Sequence, residues 1–189
     1  MKIFGAGLSR TGTLSLSRAV GMLGFHSRHW AASFDTLAFD NGQLSIRFSE
    51  VDRYDALFDI PVAHYFKELD AHYPEARFIL TVRERSSWLR SCERFLRPTP
   101  EQLAKLEDPK RAQIRIEVYG VTLFDRERFE QAYERHVQSV MEHFAGRPDD
   151  LLVMNICQGD GWPELCRFLR KPIPGAPFPR THVTDYEAV

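Results

Sequence analysis

Residues 1–16, MKIFGAGLSRTGTLSL, constrain the fold more than any other stretch of the chain. Ile3-Phe4 is a short apolar run that suits a buried parallel strand. A turn carrying Gly5, Gly7 and Gly12 follows. Beyond it, Leu16, Ala19, Val20 and Leu23 recur at the spacing of one helix face. Strand, glycine-bearing loop and helix, in that order, aim backbone N–H groups and a helix N-terminus at an anion. Thr11, Thr13 and Ser15 add hydroxyl donors, and Arg10 adds a fixed positive charge.

Two phosphate cradles can be tested against this loop. The dinucleotide fingerprint G-x-G-x-x-G requires a glycine where Arg10 stands. The nucleoside-triphosphate loop G-x-x-x-x-G-K-[ST] fits Gly7 and Gly12, but Thr13 then occupies the lysine position and Leu14 the position of the Mg²⁺-binding hydroxyl. The loop therefore keeps the shape of a triphosphate cradle without its lysine or metal ligand, and its charge sits at Arg10. This combination fits an anionic group transferred without a bound metal. The plainer alternative is a glycine turn joining strand to helix in any α/β protein.

Composition narrows the partners. With 189 residues the chain is expected to form one domain over 1–189, with an extended proline-rich tail from about residue 172. Its 25 basic and 26 acidic residues leave a net charge of −1, which does not favour a nucleic-acid partner. No apolar run approaches the roughly 20 residues of a membrane span. Met1-Lys2-Ile3 enters a strand directly, so no signal peptide is read and a cytoplasmic location is expected. The three cysteines, Cys92, Cys157 and Cys166, form no C-x-x-C pair and read as reduced thiols.

Further strands are predicted at Phe25–Trp30, Ala56–Asp59, Arg77–Val82 and Leu151–Ile156. The third of these, RFILTV, has the continuous β-branched character of a central parallel strand. Helices are predicted at Val62–Tyr73, from a Ser86 or Ser87 cap to about Leu96, in two pieces over Pro100–Tyr119, at Asp125–Ala145, and at Trp162–Leu169 behind an Asp160 cap. Between Ala31 and Asp55 only helical turns and loops are read, with a turn at Asp40-Asn41-Gly42. The predicted class is α/β: a three-layer sandwich around a five-stranded parallel sheet, like the P-loop nucleotide kinases. In such sheets ligands lie beyond the C-terminal ends of the strands, where Asp59, Arg83 and the Gly5–Thr13 loop all fall.

Arg83 closes its strand and Ser91 lies eight residues on, so a guanidinium fork and a hydroxyl are candidates to grip a second phosphate. At this point a family emerges. Gly7–Ser15 resembles the loop of sulfotransferases that binds the 5′-phosphosulfate of PAPS, 3′-phosphoadenosine-5′-phosphosulfate. Leu80–Ser91 resembles their second motif, in which an arginine after the strand and a later serine hold the 3′-phosphate. A compact branch of that family is matched further by Asp59-Ile60-Pro61, by Tyr133 and His136, by Gly161-Trp162, Leu165-Cys166 and Phe168-Leu169, and by Pro177–Pro179. Glu84-Arg85 departs from the family's usual Asp-Pro, and Ala31–Asp55 matches little of it.

The resemblance implies metal-independent transfer of a sulfuryl group from PAPS to a hydroxyl or amine of a small-molecule acceptor, leaving adenosine 3′,5′-bisphosphate. It implies that Ser9, Arg10, Thr11, Gly12, Thr13, Leu14 and Ser15 hold the 5′ end and Arg83, Ser91 and the tail residue Arg180 the 3′ end. Arg10 takes the role of the loop cation that stabilises charge during transfer. The acceptor needs a base; Asp59 is the first candidate, then His64, then His29. The alternatives are a P-loop nucleotide kinase, a nucleotide-binding scaffold without turnover, and an NAD(P) oxidoreductase. Arg10, and the lack of an acidic partner after the second strand, disfavour the last.

Overall fold

In a computed structural model, which describes residues 1–29 and 34–181, five parallel strands form one sheet. They are β1 (Ile3–Gly5), β2 (Ser27–His29), β5 (Ala56–Phe58), β6 (Arg77–Thr81) and β7 (Leu151–Met154), in the spatial order β2-β5-β1-β6-β7. β1 is central, with Phe4 level with Leu57 of β5 and Phe78 of β6. From β1 the chain goes out to the edge strand β2, returns to β5 beside β1, and then crosses to β6 and β7 on the other side. The direction therefore reverses between β1 and β6, where a parallel sheet opens a crevice.

Strand alternation divides the core between the two faces. Phe4, Leu57, Phe78 and Leu80 point to one face. There they meet α3 (Ile60–His64), α4 (Phe66–His72), α5 (Arg85–Phe95), α7 (Pro109–Tyr119) and α8 (Arg126–His143) through Val62, Leu69, Trp88, Ile114 and Phe129. Ile3, Ala56, Phe58 and Ile79 point to the other, onto α1 (Thr13–Met22) and α9 (Trp162–Leu169) through Leu16, Val20, Trp162 and Leu165. This is the predicted three-layer arrangement. Trp162 belongs to this second core, with its Nε1 donating to Ala176 O at 2.8 Å.

Several local expectations are corrected. The 31–55 stretch contains a hairpin, β3 (Leu37–Asp40) and β4 (Gln43–Ile46), with Asn41 at φ 52° and Gly42 at φ 80°. Two successive left-handed residues suit a two-residue hairpin turn, and Asn-Gly supplies them. The hairpin is followed by the short α2 (Phe48–Val51). β2 is shorter than predicted, and Trp30 lies outside the described residues. The Val62–Tyr73 helix begins earlier, with Pro61 in its first turn, and is broken at Tyr65 into α3 and α4. The cap of α5 is Glu84, whose carboxylate accepts from Ser86 N and Ser87 N at 2.8 Å each. Those amide bonds, with the Ser86 hydroxyl, hold the carboxyl down at about 2. Asp160 does not cap α9; it accepts from Asn155 N at 2.7 Å, while Glu164 accepts from Gly161 N at 2.9 Å. The Pro100–Tyr119 region is two helices as predicted, α6 (Pro100–Lys105) and α7.

Candidate active site

The loop after β1 is shaped by close approach to β6. A Cβ on Gly7 would fall 2.0 Å from Thr81 Oγ1 and 2.7 Å from Thr81 O, so only glycine fits there. Thr11 is fully buried, its hydroxyl donating to Leu8 O at 2.6 Å and meeting Thr81 Oγ1 at 2.6 Å. It braces the loop. Gly12, at φ 107°, is the N-cap of α1 and offers no side chain to the first turn. No side chain caps that turn and no acidic residue lies in it. The Thr13, Leu14 and Ser15 amides are therefore the natural donors for a bound anion.

A cleft of about 520 Å³ opens over this loop. Its walls include Ser9, Arg10, Gly12, Thr13, Leu14 and Ser15 from the loop and α1. His29 and Asp59 join from the ends of β2 and β5, and Arg83, Ser87, Ser91 and Phe95 from the end of β6 and α5. Ile156, Cys157, Arg180 and Thr181 complete it. Arg10, Arg83 and Arg180 face a single acidic wall residue, Asp59, so a chain of net charge −1 carries a cationic cleft.

On one side of the cleft two arginines and two serines interlock. Arg10 Nε donates to Ser91 Oγ at 3.1 Å, and its guanidinium lies 4.6 Å from the centre of the Phe95 ring. Arg83 Nε donates to Ser87 Oγ at 3.0 Å, and its Nη1 to Arg10 O at 3.3 Å. Cys92 lies beneath both: burial pushes its thiol well up, and the two guanidinium charges oppose that rise.

Helix α8 holds both loops from below. The Tyr133 hydroxyl accepts from Arg83 N at 2.9 Å and donates to Arg83 O at 2.8 Å. One turn on, His136 Nε2 donates to Ala6 O at 2.7 Å, at the root of the first loop. Burial lowers the pKa of His136 and keeps the ring neutral. The Tyr-x-x-His match is thus a pair of struts.

The opposite side of the cleft is built on Asp59. Its Oδ1 accepts from the Ser9 hydroxyl and, at 2.9 Å, from Ile60 N. Its Oδ2 lies 3.4 Å from His29 Nε2, which is 3.0 Å from Thr13 Oγ1. Asp59 is 3% exposed and sits at φ 93°, ψ −179°, a backbone region that belongs to glycine. The residue is held there by its neighbours at a cost in strain.

The tail also reaches the loop. Thr181 N donates to Ser15 Oγ at 3.1 Å, with the two hydroxyls 3.0 Å apart, and Arg180 lies exposed on the cleft wall.

Sequence-derived candidates thus converge, with two exceptions. Thr11 faces inward. His64 is absent from the cleft walls: α3 turns it toward α7, where Nε2 lies 3.1 Å from Glu117 Oε2. Burial lowers the pKa of His64, against the pull of Glu117. Ser87, Phe95, Ile156, Cys157 and Thr181 were not anticipated. Ser87 and Phe95 share the α5 face of Ser91 at four-residue spacing, a signal present in the sequence.

A protein-family model described as a sulfotransferase domain matches residues 2–186. A curated relative, Ava biosynthesis cluster protein M of Aspergillus versicolor, is 27% identical over 228 aligned positions, covering 98% of this chain and 82% of that protein. With the domain matched over nearly its whole length, and with the sheet order and loop geometry described above, this chain belongs to the sulfotransferase domain family.

Proposed function

We propose that the protein transfers a sulfuryl group from PAPS to a hydroxyl or amine of a small-molecule acceptor. The observation that carries this reading is the layout of one cleft. An uncapped helix N-terminus stands on one side, and the interlocked Arg10–Ser91 and Arg83–Ser87 pairs on the other. Two separate anion grips suit a nucleotide phosphorylated at both its 5′ and 3′ positions, and the cationic walls suit its charge.

In this reading the Thr13, Leu14 and Ser15 amides and the Thr13 and Ser15 hydroxyls hold the 5′ end. Arg83, Ser87, Ser91 and Arg180 hold the 3′-phosphate. Bound PAPS supplies the sulfuryl group and a phosphate that leaves with negative charge. Arg10, on the first loop and tied to Ser91, meets charge on the oxygens around the transferred group; loss of such a donor raises a barrier by ~3 kcal/mol. Asp59 accepts the acceptor's proton. Ser9 and the Ile60 amide fix the carboxylate, and His29 stands on its second oxygen. The biosynthesis-cluster name of the fungal relative supports a small-molecule acceptor.

The test is thermal stabilisation of the full chain. Adenosine 3′,5′-bisphosphate should raise the melting temperature by several degrees at saturating concentration, with or without EDTA. Stabilisation by Mg²⁺–ATP alone would select a nucleotide kinase instead. Stabilisation by the bisphosphate without turnover of PAPS across hydroxyl and amine acceptors would select a binding scaffold.

A further inference from the structure

Beneath the acceptor side of the cleft lies a group that none of these roles uses. Tyr119, the last residue of α7, is 1% exposed. Its hydroxyl is the one buried side-chain polar atom among the described residues that makes no hydrogen bond. Such a group is costly to leave unpaired. Its place is fixed by packing: the ring stacks on Phe129 at 4.1 Å and 9°. Phe129 packs on Trp88 at 5.9 Å, and Trp88 Nε1 donates to Ser9 O at 2.9 Å. The stack that carries Tyr119 therefore also carries Ser9.

The groups facing the phenol are Cys92 from α5, Asp59 from the end of β5, Arg115 one turn back on α7, and Ser9 from the first loop. Burial pushes the phenol far up and the nearby Asp59 charge pushes it further, against Arg115 and the Ser9 hydroxyl, so it keeps its proton. The Ser9 hydroxyl stands beside it, out of hydrogen-bond geometry. Ser9 has given its only proton to Asp59 Oδ1, so toward Tyr119 it presents lone pairs. Tyr119 has a proton and no acceptor, and Ser9 has an acceptor site and no further proton. The directions match.

We infer that Tyr119 is a positioning residue, closing a chain in which Tyr119 O–H donates to Ser9 O and Ser9 O–H donates to Asp59. The chain fixes the carboxylate from below while His29 and the acceptor approach from the cleft. Its catalytic meaning rests on the reading of Asp59 as the base; its existence does not.

The test is ¹³C NMR of the Asp59 carboxyl carbon in the full chain, assigned with Asp59→Asn. Tyr119→Phe keeps the stacked ring and deletes the donor. Hydrogen bonds to a carboxylate favour its charged form. The variant should therefore move the Asp59 resonance at neutral pH and raise its titration midpoint by roughly half to one pH unit. If Tyr119→Phe fails to fold, Ser9→Ala cuts the same chain in its middle and should give at least that rise. Adding Tyr119→Phe to a folded Ser9→Ala should then add nothing. An unchanged Asp59 resonance and midpoint in Tyr119→Phe, or additive shifts in the double variant, would overturn the inference. The base reading is tested apart, by sulfuryl transfer from PAPS to 2-naphthol in wild type and Asp59→Asn. Equal turnover there would remove the base and leave the NMR result standing.

Discussion

Arg10 and Ser91 are joined by a 3.1 Å hydrogen bond, so the first loop and helix α5 hold each other. Ser91 is 2% exposed and cannot easily turn away. A bound 3′-phosphate would compete for the same serine and leave Arg10 free to point elsewhere. Arg10→Ala and Ser91→Ala should each weaken adenosine 3′,5′-bisphosphate, by about 10- to 100-fold and about 3- to 10-fold respectively. Because the two residues share one bond, the double variant should lose less than the sum. Isothermal titration of the four proteins reads this directly, and strict additivity would mean that the bond has no part in binding.

Tyr133→Phe removes one hydroxyl but releases two backbone groups, Arg83 N and Arg83 O. Nucleotide affinity should fall about 10-fold, with the melting temperature also lower because two part-buried groups lose their partner. An affinity loss confined to probes bearing a 3′-phosphate, against a nucleotide lacking it, would locate the effect at Arg83.

Asp59 combines the carboxylate proposed as the base with a backbone conformation suited to glycine. Asp59→Gly should therefore be more stable than Asp59→Ala by about 1–2 kcal/mol in urea unfolding, while both lose turnover. Equal stabilities would show that the left-handed backbone relaxes when the side chain is removed.

The Glu84 cap has a definite acid signature. Its folded carboxyl sits at about 2, below the ordinary 4.5. The group therefore adds stability above the unfolded value and loses it as pH falls from about 4.5 toward 2. Glu84→Ala should melt lower than wild type at pH 7, and the gap should close across that window. A gap constant down to pH 3 would assign the effect to something other than the cap.

Gly7→Ala should cost several degrees of melting temperature. Thr81→Ser should not restore it, because the Thr81 backbone oxygen and nitrogen at 2.7 and 2.8 Å obstruct the new methyl as well as Oγ1. Differential scanning fluorimetry of the single and double variants settles the point.

What could be read ahead of the structure follows from range. The strand-loop-helix at the start, the RFILTV strand and the parallel order are local patterns of hydrophobic period and glycine placement, and these appeared where expected. The arginine and serine side of the cleft was legible because its residues sit in two short, contiguous motifs. On the opposite side Asp59, His29 and Ser9 could be named one by one, but not their mutual contacts, and Tyr119 could not be named at all: the four come from separate elements that only the fold brings together. The β3–β4 hairpin was missed because its strands are four residues each and half exposed, although Asn41-Gly42 marked the turn. His64 misled because helical period alone does not say which neighbour a residue one turn in will meet.

Helix α8 carries Tyr133 and His136 on adjacent turns, one grasping the Arg83 peptide and the other the Ala6 carbonyl. The first loop and the turn at Arg83 are thereby mounted on the same rigid rod. A slide of that rod would carry both mounts along together and leave the gap between them intact. The separation of those two mounts is thus set by one turn of helix α8.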